Sequence, residues 1–371
     1  MKKNLLYLFT VLCTLSFFTA CSDDDDPKDP NVLDVNTAYS GDKLDLKYSD
    51  SPLLGKEITF DTKDGKTATI TMKGLSSLGD LLGQLVPKST AAMPAMAPGV
   101  IPGEITTTIS NVPLILSGEK YTFEGEYTGA AGVKATYSGE VQKDKLTMSV
   151  KATMPANDLV GNWGLAAQPL NLAWTAGDAM IDLTSLNIPQ ITTPLPVSVV
   201  APMLGSMMLA PKLQGVLESI SYGADGNIVA SYKKAGASDW TTSPLNLAQY
   251  YIKDNKLYVQ LNIDQIMATV QANKNKSKAD MDIAAIIALI QPLMSYLSEG
   301  VPLSYTVANG TAQVTLGYDV LGKILPLLAD ESIGGMIAGL LPAEYLPILS
   351  QLPAILEKTE NVSATLVLTK K

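Results

Sequence analysis

From Lys43 onward, apolar and polar residues alternate in short runs that stop at turn dipeptides. Residues 56–61 (KEITFD) and 66–72 (KTATITM) flank Asp64-Gly65, and a DG pair between alternating runs predicts a β-hairpin because both central positions favour positive φ. The same arrangement recurs around Asp225-Gly226, Asp254-Asn255 and Asn309-Gly310. Residues 121–129, 132–141 and 144–154 alternate in the same way, so the chain reads as antiparallel meanders.

Four apolar segments of another kind interrupt the meanders. Residues 74–86 (GLSSLGDLLGQLV) carry leucines at helical spacing and run into a Met- and Pro-rich stretch. Residues 196–217 behave similarly, and 279–297 and 319–356 are longer. Pro292, Pro326, Pro342, Pro347 and Pro353 cut the last two into pieces of two or three turns, because proline lacks the helical N–H. None gives the roughly 20 uninterrupted apolar residues of a membrane span. The fold class predicted is mainly β with inserted helices (α+β). A boundary at Pro155-Ala156-Asn157-Asp158 divides a β-rich unit with one helical insert (39–155) from a second with several (156–371), and the recurrence of strands and insert hints at a duplicated plan.

The N-terminus predicts location. Lys2 and Lys3 precede an apolar run over 5–20 that ends at Thr19-Ala20-Cys21, the layout of a cleaved signal peptide (1–20). Phe18-Thr19-Ala20-Cys21 resembles the bacterial lipobox, in which the cysteine becomes the first residue and carries a lipid thioether; Phe18 departs from the usual leucine. Two or three acyl chains anchor a protein firmly, at about 0.8 kcal/mol per buried methylene. Ser22, Asp23, Asp24, Asp25 and Asp26 then begin an acidic tether (21–38), a run of like charges that stays extended in water. A cysteine followed by SDDDD resembles the export signal of surface lipoproteins of the Bacteroides lineage. That resemblance implies an outer-membrane protein, lipid-anchored at Cys21 and exposed at the cell surface.

Composition narrows the chemistry. The formal charge is −9, which disfavours nucleic acid, and all 27 basic residues are lysine. Without arginine there are no bidentate clamps for phosphate or carboxylate. Without histidine the commonest general base and zinc ligand are gone, together with the Ser-His-Asp and Cys-His nucleophile arrangements. No phosphate-binding glycine loop of either common spacing occurs. Ser117–Lys120 and Ser231–Lys234 match S-x-x-K, but they fall at a turn and on a strand, where that spacing does not align the two groups. Asp61, Asp64 and Gly65 are better explained by the hairpin than by a calcium loop, and a helix break exposed to water explains Asp330-Glu331 as well as a paired acid does. Asn361-Val362-Ser363 is a glycosylation sequon only in a eukaryotic secretory route. The expectation is a non-enzyme with no catalytic residue, cofactor or metal.

Leu159-Val160-Gly161-Asn162-Trp163 resembles the opening of lipocalin-like barrels, in which a glycine and a tryptophan start the first strand and the indole closes one end. A second strand, 170–176 (LNLAWTA), follows. With the N-terminus, the whole chain is similar to two-domain lipocalin-like (calycin) surface lipoproteins of unknown function. The resemblance implies a barrel with helical caps in the second domain, able to enclose one small ligand. Trp163 and Trp174 are ligand candidates, with buried structural indoles as the alternative. Met203, Met207 and Met208 form an adaptable patch that suits either a core or a binding groove. The leading expectation is an apolar or amphipathic small molecule as ligand; the others are an outer-membrane protein partner and a surface glycan, read by exposed aromatic rings.

Overall fold

The computed structural model describes residues 32–75, 97–129, 131–186, 191–234, 236–273, 293–328 and 346–371. Cys21 and Ser22–Asp26, most of the segments expected to be helical at 74–86 and 279–297, and Asp330-Glu331 lie outside these residues.

Ten strands build the first unit. β1 (Thr37–Ser40), β4 (Lys56–Asp61), β5 (Thr67–Gly74) and β6 (Thr106–Pro113) form a four-stranded sheet in the order β1-β4-β5-β6. β2 (Leu44–Tyr48), β3 (Ser51–Pro52), β7 (Ile115–Ser117), β8 (Lys120–Thr128), β9 (Lys134–Gln142) and β10 (Lys145–Thr153) form a second sheet, β3-β2-β10-β9-β8-β7. Their inner faces share one core; the tilted pair Phe60 and Phe123, with ring centroids 5.7 Å apart, joins them. β2 lies parallel to β10, an exception to the expected meander. Ordered structure starts before residue 39: Val35 and Tyr39 are fully buried, and the Tyr39 hydroxyl donates to the Val35 and Gln142 carbonyls.

Lys56 is an unusual member of this core. It is fully buried on β4 and its ammonium donates to the Pro98 carbonyl at 2.6 Å. Burial lowers its pKa from 10.5 to about 7, against an opposing pull from Asp264. The unfolded chain therefore holds this proton up to about pH 10.5 while the fold releases it near 7, so the group makes stability rise with pH across that window. Lys56→Met is expected to flatten that rise, read as urea midpoints at pH 7, 8 and 9; an unchanged slope would show that the lysine is not desolvated.

The second unit is a closed antiparallel barrel of eight strands. They are β11 (Gly161–Thr175), β14 (Leu217–Tyr222), β15 (Asn227–Lys233), β17 (Ala248–Lys253), β18 (Lys256–Leu261), β19 (Val301–Ala308), β20 (Thr311–Leu316) and β21 (Asn361–Lys370). Each pairs with the next along the chain, β21 pairs with β11, and β11 with β14, so the barrel is a pure up-and-down meander. β16 (Trp240–Thr242) adds to β15, and β12 (Met180–Ile181) pairs with β13 (Leu195–Pro196) outside the barrel. The first unit, two facing sheets, does not repeat this closed topology, so the hint of duplication is not realised.

Connection lengths give the barrel two different ends. At one end are the tight turns 223–226, 254–255 and 309–310. Asp254, Asn255, Asn309 and Gly310 all have positive φ there, as the turn dipeptides require. Gly310, at φ 71°, has open space where a Cβ would stand, so its substitution cost is backbone strain alone. Gly310→Val is expected to cost about 1–2 kcal/mol in urea unfolding.

At the other end lie the connections 176–216, 234–247, 262–300 and 317–360, and all the described α-helices fall in these. The first holds α1 (Val197–Leu204) and α2 (Ala210–Val216), joined by a π-helical turn over Gly205–Leu209. Pro211 cannot donate a helical hydrogen bond, and a widened turn just before it accommodates that loss. α3 (Ile263–Asn273) and α4 (Met294–Glu299) belong to the third connection. α5 (Tyr318–Leu328), α6 (Leu346–Leu349) and α7 (Leu352–Leu356) belong to the last, and Pro347 and Pro353 keep α6 and α7 to about a turn. None of the described helices is long and apolar enough to cross a membrane.

The two strands expected over 159–166 and 170–176 are one. β11 runs through both, with a register shift between Leu165 and Leu170 against β21. Pro169 has no N–H for the ladder, and the bulge lets the chain pass it while returning Leu170, Leu172 and Trp174 to the inward face.

Candidate ligand-binding site

Strand pairing assigns the inward face of the barrel. Trp163 and Leu165 face inward on β11, opposite Lys370 and Leu368 of β21; beyond the bulge Leu170, Leu172 and Trp174 stand opposite Leu366, Ala364 and Val362. β20 contributes Ala312, Val314 and Leu316, in register with the same residues of β21. β17 and β18 add Tyr250, Ile252, Leu257 and Val259.

Burial along this face is uneven. Toward the short turns a central plug, Trp163, Tyr250, Leu257, Ala312 and Leu368, is 0 % exposed, while Ile220, Ile228, Ile252, Tyr305 and Val307 around it are partly buried. The Trp163 indole donates to the Leu159 carbonyl at 2.6 Å, so the polar edge of a buried ring is satisfied within the barrel's own lead-in. Tyr222 meets Tyr250 edge to face at 5.4 Å, and the Tyr250 hydroxyl donates to the Gly223 carbonyl. Burial raises both phenols above the ordinary tyrosine value, Tyr222 to about 12, so the plug stays uncharged.

Toward the long connections no described inward strand residue is fully buried, although Val362 is only 7 % exposed. Leu165, Leu170, Leu172, Tyr232, Leu316, Ala364 and Leu366 are only partly buried although their Cα positions face inward, and Leu261 is 41 % exposed. A separate apolar cluster gathers at that end. Val197, Val200 and Ile355, from α1 and α7, pack with Ile181 and Leu183, and Trp174 of β11 joins them with Met203. The Trp174 indole donates to Thr359 Oγ1 at 2.9 Å, which ties the end of the strand to the chain entering β21.

The sequence candidates thus part company. Trp163 sits in the plug. Trp174 and Met203 meet at the opposite end. Met208 is partly buried, and Met207 points to solvent at 66 % exposure, near exposed Leu209. The inward-facing leucines and tyrosines were visible as alternating residues, but their facing depended on closure of the sheet. Trp240 is 40 % exposed, and the Lys233 ammonium lies 4.6 Å from its ring centroid, occupying a stacking face.

Elsewhere the chemistry is structural. Asp64 accepts from the Lys66 and Thr67 amides and caps its own hairpin, which holds its carboxyl below the usual range. Lys120 pairs with Glu140, and the Ser231 hydroxyl donates to Glu218, so each S-x-x-K match has a local partner. Among the described residues no group of three or more acidic or cysteine side chains is arranged to hold a metal. Two surface grooves of about 370 and 300 Å³ lie on the first unit. One crosses the polar face of β8 to β10 at Glu124, Ser138 and Lys151; the other is beside the Asp64 hairpin.

The barrel is fixed to the first unit through its turn at 223–226 and the approach to β17. Asp225 accepts from Ser49 Oγ through its carboxylate and from the Tyr48 hydroxyl through its carbonyl, both at 2.5 Å. Asn246, fully buried, donates through Nδ2 to the carbonyls of Tyr48, Ser51 and Pro52 at 3.0–3.1 Å. Asn262 donates to the Leu54 carbonyl, and Gln260 accepts from the Gly103 amide.

The chain matches no family model, no curated protein and no solved structure.

Proposed function

We propose that this chain is a non-enzymatic, lipid-anchored protein of the bacterial outer-membrane surface that carries an apolar or amphipathic small molecule in the helical end of its barrel. The observation that carries this reading is that the fully buried inward residues, Trp163, Tyr250, Leu257, Ala312 and Leu368, lie toward the short turns, while Leu170, Leu172, Leu316, Ala364 and Leu366 toward the helical end are only partly buried. The eight-strand size suits one small ligand, and a lipocalin-like descent would account for the Gly161-x-Trp163 start. Helices α1 and α7 act as the cap, with Met203 of α1 and Trp174 of β11 in their apolar cluster. Anchoring rests on the Cys21 lipobox and the Ser22–Asp26 run.

Ligand carriage is tested on protein released from membranes without detergent, by native mass spectrometry and analysis of extracted small molecules. A co-purifying apolar compound that a Leu366→Trp filling variant loses is expected; an empty protein that also fails to take up an added long-chain alcohol would overturn the reading. Anchoring is tested separately, by labelled palmitate incorporation that Cys21→Ser abolishes.

A docking role has one observation in its favour: Val199, Met207, Leu209 and Val216 are exposed together along α1, the π turn and α2. Crosslinking on intact cells separates the two, since a carrier gives no stoichiometric partner.

A further inference from the structure

If the barrel carries a ligand at all, its inward face also constrains what kind. From Trp163 to the helical end, every side chain that the eight strands aim inward is aliphatic, aromatic or alanine. The charges of the same strands face outward. Glu218 sits at the bulge of β14, where it takes bonds from Ser231 and Lys371, and Lys233 lies over Trp240. One charged residue has inward parity, Lys370; it is exposed at the short-turn rim, with its ammonium 5.8 Å from the ring centroid of Trp163, whose indole stands between it and the interior.

The polar edges of the two inward tryptophans are already engaged, Trp163 with Leu159 and Trp174 with Thr359. The same holds for Tyr250, bonded to Gly223. Of the described lysines at the helical end, Lys358, one residue from the Trp174 partner, is paired with Asp178 at 2.8 Å, Lys323 lies 4.6 Å from the Tyr296 ring centroid, and Lys212 is exposed on α2. Among the described residues, a carboxylate or phosphate drawn between the strands would lose its water and meet no inward-facing cation beyond Lys370 at the rim and no N–H donor set, with only phenols such as those of Tyr232 and Tyr305 to donate to it. A buried charge without a counter-charge is among the most unfavourable states a protein interior can hold. A hydroxyl or ester gives up far less on the same transfer.

We infer that the barrel is selective for uncharged lipids, such as long-chain alcohols, esters and acylglycerols, and discriminates against the ionised fatty acid of the same chain length. This rests on the carrier reading above.

The experiment uses the whole mature chain at pH 8. A neutral fluorescent probe bound to the protein is displaced by dodecan-1-ol, by methyl dodecanoate and by dodecanoate, each below its aggregation limit. At least tenfold tighter binding of the alcohol and the ester than of the carboxylate is expected. Less than tenfold, with all three binding, overturns the selectivity and leaves the carrier reading standing; no binding by any of them overturns both. Leu366→Lys, placed on the partly buried inward face, is expected to raise dodecanoate affinity at least tenfold relative to the alcohol. Its folding is checked by circular dichroism, and if it does not fold the unmodified protein's ratio decides alone.

Discussion

Trp163→Ala is expected to lower the free energy of unfolding by about 3–5 kcal/mol, the range for removing a large aromatic from a packed core. The ring is 0 % exposed in one core cluster with Leu159, Tyr222, Tyr250, Leu257 and Leu368, and Trp163 pairs with β14 at Ile220 and with β21 at Lys370, on both sides of the barrel closure. Its loss leaves a void at the plugged end that rigid strand backbones cannot collapse into, and it orphans the Leu159 carbonyl. Trp163→Phe separates the two contributions: it keeps most of the apolar volume and loses the indole N–H, for an expected cost of about 1–2 kcal/mol beyond the small packing change. Urea unfolding followed by circular dichroism reads both. A cost under about 1 kcal/mol for the alanine variant would mean that the ring does not hold the barrel shut.

Asn246→Ala is expected to cost about 3–4 kcal/mol and to loosen the two units from each other. The Nδ2 group serves three carbonyls of the β2–β3 connection, and an alanine leaves them buried without that donor. The backbone adds to this, because Asn246 has φ 64°, where asparagine is tolerated and alanine is strained by about 1 kcal/mol. Asn246→Gly removes the strain and keeps the hydrogen-bond loss, so it should fall about 1 kcal/mol short of the alanine variant. Asn246 Oδ1 and Gln249 Nε2 are buried without a partner among the described residues. Asn246→Asp, which turns a charge toward three carbonyls, should be worse than either. Hydrogen exchange gives the spatial readout: protection should fall first at Tyr48 to Leu54 and around Asp225. Uniform loss across the barrel would mean that the junction is only part of one cooperative core.

Both positions also mark how far the sequence could be read. The hairpins at Asp254-Asn255 and Asn309-Gly310 were legible because a two-residue turn is local: the backbone needs positive φ, and few residue types supply it. At Asp64-Gly65 the hairpin was legible but its loop is longer, residues 62–66, with positive φ at Gly65 and not at Asp64. The helical nature of 197–216 and 319–328 was legible from apolar periodicity, which is also local. The break expected between residues 166 and 170 was not one, because a bulge and a chain break carry the same signal, a proline amid polar and small residues, and differ only in whether the partner strand continues alongside.

The site itself followed the same division. Gly161-x-Trp163 could be singled out from the sequence, but nothing local distinguishes an indole that plugs a barrel from one exposed at a rim, as Trp240 shows. Asn246 gave no signal at all, since its three acceptors lie 194 to 198 residues away along the chain.

The amino-acid order alone determined where this chain turns, which stretches alternate, which prolines interrupt its helices, and that imidazole and guanidinium chemistry are absent from it. Each of those follows from dihedral preferences or composition, which act within a few residues. Only the tertiary structure decided which of the two faces of each alternating strand became the interior, that the meander closes on itself, and that all of its helical connections fall at one end. Those outcomes depend on pairing residues far apart in the chain, and a period of two is the same whichever side is turned inward.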